Sequence, residues 1–204
     1  MTRAASEPRA GTRPDPRSHP RDFAVLLPPG WARIPLDGRE GARAATLAAN
    51  KAAGLEEPQR SAVRDKLTRT IRQALQDARS AGGIDVLLSL AERDGIPLAA
   101  SCLISYLDKG QEVPLDVLAA EFSAELSAEG DGAGGRVSLT EAGGCPAVRR
   151  RYIDDGITRL DYFLPMPGRP TGFLVMAFGT PMEPLADALV TLFDAIAQSL
   201  RWQS

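Results

Sequence analysis

The sequence predicts an α/β protein in which helices flank a central antiparallel β-sheet. Three observations support this fold class: an apolar run at residues 171–178, an amphipathic segment after it, and an Asp155-Gly156 pair between two strand-like segments. The apolar run is typical of a strand buried on both faces, and Asp-Gly is typical of a tight hairpin. The amphipathic segment predicts a closing helix, whose apolar stripe consists of Leu185, Leu189, Leu192, Phe193, Ile196 and Leu200.

The remaining elements follow from local signals. Pro28-Pro29-Gly30 predicts a turn, Arg93-Asp94-Gly95 predicts a hairpin, and Pro184 predicts a closing helix that begins near it or has a distorted first turn. The expected strands are 23–27, 84–90, 96–107, 137–139, 146–154 and 157–164, and the expected helices are 38–53, 58–80 and 114–128. The helix at 58–80 is expected to bury Val63, Leu67, Ile71, Ala74, Leu75 and Ala78.

Length and composition indicate one globular domain. The chain has 204 residues, 44% of them hydrophobic and 25% charged, which is ordinary for such a domain. We expect the domain to span residues 22–204. Residues 1–21 contain four prolines and five arginines but little to bury, so we expect a disordered tail. Arg supplies 21 of the 24 basic residues, a bias that indicates GC-rich codons and a bacterial source.

The same features predict a cytoplasmic protein without membrane insertion. The N-terminus has no apolar core of signal-peptide type, and no run reaches the roughly 18 apolar residues of a membrane span. A net charge of −2 gives no general attraction to nucleic acid. Cys102 and Cys145 are too few for a disulfide scaffold; we expect core thiols, with a single bridge left open as the alternative.

Residue types that carry common catalytic and metal chemistry are scarce. The one histidine, His19, lies in the expected tail, which excludes a preorganised His-based catalytic or zinc site in the domain. Gly130 to Gly135 matches G-x-G-x-x-G, but it follows a helix and precedes a strand, the reverse of the nucleotide-binding order. Asp154 and Asp155 lie in a turn that prefers Asp. We therefore expect no enzymatic activity, no cofactor and no metal.

One charge cluster stands out, on the two strands that flank Asp155-Gly156. A two-residue turn there places Arg150 opposite Asp161, Tyr152 opposite Arg159, and Arg149 opposite Tyr162. A solvated sheet face with an ion pair is one interpretation. The other is a surface for an acidic ligand or a protein, since Arg and Tyr are favoured interface anchors. The candidate interaction residues are Arg149, Arg151, Tyr152, Arg159 and Tyr162.

From residue 23 onward the order of elements resembles the Mog1/PsbP-type α/β/α sandwich. The residues that carry the resemblance are Leu27-Pro-Pro-Gly-Trp31 with Ile34-Pro35, and Phe178-Gly-Thr-Pro181 with the closing segment Phe193 to Trp202. The helical region at 53–80 departs from the smallest members. The resemblance implies a binding or assembly factor rather than an enzyme, and it carries over no functional residue because no ligand motif matches.

These observations predict a non-enzymatic interaction or assembly module, accessory to a multiprotein system such as a secretion system, with a protein as its partner. The alternative is a small-molecule or acidic-ligand binding domain, or an enzyme, with a pocket between sheet and helices. The sequence leaves the oligomeric state open.

Overall fold

The computed structural model of the chain describes residues 23–93, 95–128 and 135–203. The expected tail with His19, and most of the Gly130 to Gly135 loop, lie outside the described residues. In chain order the elements are β1 (Phe23–Ala24), β2 (Trp31–Pro35), α1 (Glu40–Ala52), α2 (Gln59–Ser80), β3 (Gly83–Ser89), β4 (Glu92–Arg93), β5 (Ile96–Pro97), β6 (Ser101–Asp108), α3 (Leu115–Ala128), β7 (Arg136–Ala142), β8 (Cys145–Asp154), β9 (Ile157–Met166), β10 (Arg169–Thr180), α4 (Ala186–Gln198) and β11 (Arg201–Trp202).

Seven of these strands form one antiparallel sheet in the order β2-β3-β6-β10-β9-β8-β7. The predicted apolar strand is β10, which lies at the centre and pairs with β6 and β9. Helices cover parts of both faces. The predicted fold class, an antiparallel sheet flanked by helices, is therefore confirmed.

The hairpin between β8 and β9 has the predicted register. Asp155 and Gly156 have φ angles of 48° and 72°, both positive as a type I′ turn requires. Arg149 pairs with Tyr162, Arg150 with Asp161 and Tyr152 with Arg159. Cross-strand partners share a sheet face, so this register decides which of these side chains meet.

Helix α4 covers one face of the sheet with a continuous apolar core. Phe193 and Leu200 are fully buried there, and the Phe193 ring stacks on Phe178 with centroids 4.9 Å apart. Leu174, Met176 and Phe178 of β10 join this core. The side chains of β10 that point to α4 are therefore buried, as predicted.

The predicted C-terminal helix needs three corrections. Its first turn, Glu183–Leu185, is a 3₁₀ helix, because Pro184 has no backbone N–H for a regular α-helical turn. Leu185, assigned to the buried stripe, is 38% exposed. The helix ends at Gln198, and Arg201–Trp202 pair instead with Phe23–Ala24, which also shortens the strand predicted at 23–27.

The opposite face is covered at its two ends rather than along its length. At one end α1 and α2 pack on β2 and β3, around Ile34 and Leu75. At the other end α3 packs on β7 and β8, with Leu118 and Phe122 against Val148. The apolar side chains of this face thus form two separate clusters.

Helix α2 buries less of its apolar stripe than the sequence predicts. Of the six residues expected to be buried only Leu75 is fully so, while Val63 is 37% exposed and Ala74 is also exposed. Helical spacing identifies an apolar face, but it does not show whether the rest of the chain covers that face. The rest of the chain covers the apolar face of α2 only in part.

Two further predictions change in detail. The strand at 96–107 is divided into β5 and β6, because β5 pairs with β4 in a small ribbon of its own; the chain still reverses where predicted, since Arg93 pairs with Ile96. Cys102 is buried as expected, whereas Cys145, beside the Gly143-Gly144 turn, is only half-buried. Both thiols are free.

The distance between the cysteines excludes the bridge that the sequence left open. Cys102 lies on β6 and Cys145 on β8, with β10 and β9 between them. Three strand spacings amount to about 14 Å, twice the Cα separation of about 7 Å that a disulfide tolerates.

Among the described helices, none combines the length and the hydropathy that crossing a membrane would require.

Candidate functional site

The five predicted interaction residues do not share one surface. Because side chains alternate along a strand, Arg149, Arg151 and Tyr162 point to the face that α4 covers. Tyr152 and Arg159 point to the opposite face, which α2 and α3 cover. The sheet therefore separates the set into two groups with different surroundings.

Arg149 and Tyr162 both bind Asp194 of α4. The Arg149 guanidinium donates to the two carboxylate oxygens at 2.8 and 3.0 Å, and the Tyr162 hydroxyl donates to Oδ1 at 2.6 Å. Burial, followed by the contact with Asp194, raises the pKa of Tyr162 well above its usual value. These contacts use the polar groups of both side chains to hold α4 on the sheet.

Arg151 occupies the outer end of the same face. Its guanidinium donates to Asp187 at 2.6 Å, and the Asp187 side chain is 89% exposed. An exposed pair of this kind contributes little to stability. Of the three residues on this face, Arg151 is therefore the most accessible to a partner.

On the opposite face the centre of the charge cluster is Arg150, which the candidate set omits. It donates to Asp161 at 2.8 and 3.1 Å, and its guanidinium lies 4.5 Å from the centroid of the Phe122 ring and 4.8 Å from that of Tyr152. Asp161 is only 4% exposed. This is a largely buried ion pair beneath α3, so the solvated sheet face that was one interpretation of the cluster does not describe it.

Burial dominates the electrostatics of this cluster. Loss of solvation raises the pKa of Asp161, although the Arg150 guanidinium opposes the shift. Burial also raises the pKa of Tyr152. The charge of Asp161 is directed at Arg150. The next charged side chain on this face of β9 is Arg159, which lies opposite Gly179 of the central strand.

Arg159 lies across Gly179 of β10. Its Nη1 is 3.1 Å from the point where a Cβ on Gly179 would stand, so the missing side chain makes room for the guanidinium. Its ion pair with Asp154 is long, at 3.5 Å, and that carboxylate is exposed. The Arg159 cation thus lies on the floor of the sheet between α2 and α3.

That floor forms a strip that the two apolar clusters leave open. On β10, Val175, Ala177 and Gly179 point to this face and are only half-buried, although the strand is central. Leu103 on one side belongs to the cluster under α2, and Val175 to the cluster under α3. Ala177, between them, belongs to neither of the clusters that the described residues form.

Beside this strip, on the far side of the Ala177–Leu103 pair, a groove lies between α2 and the sheet. This groove has a volume of about 310 Å³, at the lower end of the range for ligand sites. Its wall is the exposed part of the α2 stripe, and its floor is made by β3 and β6. Most of its lining is apolar, and the principal residues are Ile71, Ala74, Ala78, Leu88, Ser101 and Leu103.

Helix α2, which forms one wall of this groove, carries more basic than acidic side chains. The helix has six basic and two acidic side chains, a balance of +4 in a chain whose net charge is −2. Two carboxylates of the facing helix α3 are paired, Glu121 with Lys109 and Glu125 with Arg150. The groove is therefore apolar inside. Arg72 and Arg79 of α2 lie towards Gly41 and Glu40 of α1, and Arg159 lies on the sheet beside the groove.

A second cavity, of about 220 Å³, lies at the β2 edge of the α4 face. Its buried polar group, Asp85, is 5% exposed and accepts from Arg33 at 2.6 and 3.2 Å. The Arg33 guanidinium also lies 4.5 Å from the Phe23 ring centroid. Its principal polar groups thus satisfy one another, which makes it a weaker candidate than the α2 groove.

The sequence held signals for both missed features. Alternation along β8 places Arg150 and Arg151 on opposite faces, and the predicted register already set Arg150 against Asp161. The basic surplus on α2 is countable in the sequence, but the uncovered state of its stripe is not. In the described part of the chain no three His, Cys, Asp or Glu side chains come together as a metal site would require.

Comparisons with known proteins leave the family open. No protein-family model matches the chain, and no curated protein matches it. A similar solved structure is that of LpqN, described as involved in cell envelope biogenesis of Mycobacterium tuberculosis. The TM-score is 0.48 at 12% identity, over 89% of this chain and 83% of that one. Similarity at this level assigns neither a family nor a function.

Proposed function

We propose that the protein is a non-enzymatic interaction module that binds another protein in the groove between α2 and the sheet. The observation that carries the proposal is the half-buried strip on β10, a central strand whose other face is fully covered. A central strand normally has apolar cover on both faces, and an exposed apolar patch beside polar groups is typical of an interaction site. Arg159, from the predicted set, borders this strip, and Tyr152 lies on the next strand, opposite Arg159.

The proposed setting is the bacterial cytoplasm, as an accessory factor to a larger assembly such as a secretion system. The resemblance to Mog1/PsbP-type sandwiches favours a binding or assembly role. The groove favours it independently, because its lining is almost entirely apolar and Ser101 is the hydroxyl on its floor. Such a lining supplies binding energy through burial of apolar surface rather than acid or base chemistry.

Site-specific photo-crosslinking in the native host tests this function. A photoreactive amino acid replaces Ala74, on the exposed groove wall, in one variant and Ala62, an exposed residue of the same helix outside the groove lining, in another. We expect one defined protein adduct from position 74 and none of that mass from position 62. The adduct should disappear when Leu103→Arg is added, because a cation then occupies the apolar floor.

Two results would overturn the proposal: no protein adduct at position 74, or the same adduct from both positions.

Arg149→Glu is unsuitable as the disrupting variant, because it would place a carboxylate against Asp194 and disturb the docking of α4. The exposed residue Arg151 is the better test of the α4 face. An adduct lost on Arg151→Glu but retained on Leu103→Arg would move the site to that face.

A small apolar ligand is the second candidate, and the volume of about 310 Å³ is what favours it. Native mass spectrometry of protein purified from the host distinguishes the two functions. A bound molecule of defined mass that Leu103→Arg removes would favour the ligand, whereas protein adducts alone favour the interaction module.

A further inference from the structure

We infer that the partner presents an acidic amphipathic α-helix of about four turns, which docks between α2 and α3 and completes the helical layer on this face. The inference rests on the proposed function and specifies the chemistry of the partner. It follows from the hydrogen bonding of the floor, the spacing of the two helices, the apolar stripe of α2 and the charge around the groove.

The floor of the groove offers no strand edge to a partner. β6 is paired to β3 and β10, and β10 is paired to β6 and β9, so their backbone groups are already used. A segment that enters an apolar groove without a strand to pair with must satisfy its own backbone hydrogen bonds. A helix does so internally, whereas an extended segment does not.

The available width matches one helix. α2 packs on β3, and α3 packs on β7 and β8, so β6, β10 and β9 lie between their positions on the sheet. Four strand spacings from β3 to β8 amount to about 19 Å. Two successive helix-to-helix distances of 8–10 Å require about 16–20 Å. A single helix therefore fits over Ala177 and Gly179, beyond the cluster under α3 that reaches Val175.

The apolar stripe of α2, of which Ile71, Ala74 and Ala78 line the groove, has the spacing of a helix–helix interface. Val63, Leu67, Ile71, Ala74 and Ala78 recur at intervals of three or four residues along α2, and Val63 and Ala74 are exposed. From Val63 to Ala78 the stripe is about 22 Å long, the length of about 15 helical residues. The small side chains at 74 and 78 let a second helix approach closely.

Charge complementarity indicates the sign of the charge that the partner carries. Without Arg72 and Arg79, which lie towards α1, α2 keeps a surplus of two positive charges, and Arg159 places a further cation on the floor at Gly179. The carboxylate at this end of the floor, Asp161, already accepts two hydrogen bonds from Arg150. A helix with Glu or Asp along the edges of its apolar face is therefore attracted by the net positive charge of α2 and by Arg159.

Selection from a phage library of random peptides of about 16 residues, with the full chain as bait, tests the inference. We expect enriched peptides with apolar residues at i, i+3, i+4 and i+7 and a net negative charge. Circular dichroism of the bound peptide should show helix. In fluorescence anisotropy, Ala74→Glu should weaken binding at least about tenfold, and the matched variant Ala62→Glu should change it less than about twofold.

Arg159→Ala and added salt test the charge. We expect Arg159→Ala to weaken binding about threefold or more, and affinity to fall as salt screens the cations. Enriched peptides that are extended, basic or absent would overturn the inference. So would a full chain that dimerises alone and loses its dimer on Ala74→Glu, because the occupant would then be a second copy.

The outcomes separate this inference from the proposed function. Enrichment of extended or basic peptides that Ala74→Glu still blocks would refute the acidic helix and leave the protein-binding groove standing. Absence of a protein adduct at position 74 in cells would refute the protein-binding function itself. Failure of the selection alone, with a cellular adduct present, would refute only the single-helix partner.

Discussion

Arg149 and Asp194 form the bidentate contact that joins strand β8 to helix α4. The two N–H···O distances are 2.8 and 3.0 Å, and the side chains are 17% and 28% exposed. The pair is thus largely shielded from water, unlike the Arg151–Asp187 pair nearby. Tyr162 also donates to Asp194, so one carboxylate connects two strands to the helix.

Asp194→Asn should therefore destabilise the protein. We expect a loss of about 1–3 kcal/mol in the free energy of unfolding, because hydrogen bonds to a charged group are removed at a shielded site. Chemical denaturation measures the loss. The matched change on the same helix, Asp187→Asn, removes an exposed pair near the helix N-terminus and should cost less than about 1 kcal/mol. Equal losses of unfolding free energy in the two variants would show that the Arg149–Asp194 contact stabilises the protein no more than the exposed Arg151–Asp187 pair does.

Tyr162 should make stability sensitive to alkaline pH. Its pKa is raised in the folded protein, chiefly by burial, so the unfolded chain loses this proton first. The contribution is therefore fully present below the unfolded pKa of about 10 and is lost as pH rises above it towards the folded pKa.

Urea unfolding at pH values from about 8 to about 11 checks this dependence. The stability difference between wild type and Tyr162→Phe should be constant below about pH 9 and should shrink above about pH 10. Tyr152, whose pKa is also raised, keeps some alkaline sensitivity in the variant. A difference that stays constant throughout would contradict the assigned environment of Tyr162.

Gly83→Ala should strongly destabilise the junction between α2 and the sheet. A Cβ at this position would lie 2.5 Å from Leu103 Cδ1 and 2.7 Å from the Ala78 carbonyl oxygen, and the backbone atom cannot move aside cheaply. We expect a loss of about 1–3 kcal/mol or more from overpacking. Thermal unfolding measures it, and Gly54→Ala is the control.

At Gly54 the position of a Cβ is open, with no heavy atom within 4 Å. That change should be neutral or slightly stabilising, because alanine restricts the unfolded chain. If both alanine variants unfold at the same temperature, the close contacts at Gly83 between α2 and β3 do not exist as described.

The two thiols should differ in reactivity towards an alkylating reagent. Cys102 is fully buried, and burial raises its pKa well above the usual value, so the reactive thiolate is scarce as well as shielded. Cys145 is half-buried and should react faster in the folded protein. Mass spectrometry of time-resolved alkylation, with Cys145→Ser as control, should show slow modification of the remaining thiol until denaturant is added.

The sequence predicted the hairpin at Asp155-Gly156 and the central strand β10 because both depend on local signals. A type I′ turn needs two positive φ angles, which Asp and Gly tolerate, and that requirement alone determined the pairing of Arg150 with Asp161. The closing helix was predicted for the same reason. Its end at Gln198 was not, because Arg201 and Trp202 are held by pairing with Phe23–Ala24, at the other end of the described chain.

The candidate surface was only partly predictable. The sequence identified Arg149, Arg151, Tyr152, Arg159 and Tyr162 as the unusual residues, and their interaction role stays a prediction. It did not reveal that Asp194 binds Arg149 and Tyr162, because that contact spans many residues and depends on where α4 packs.

What the sequence by itself determined is the local part of this protein: an antiparallel sheet with helices, the register of β8 on β9, and an apolar stripe on α2. Only the tertiary structure decided which of those apolar faces are covered. Periodicity reports the side of a helix or strand that is apolar, whereas burial depends on whether another element reaches it. None of the described elements covers Ala74, and the groove between α2 and the sheet is the result. Ala177, on the strip beside it, is only half-buried.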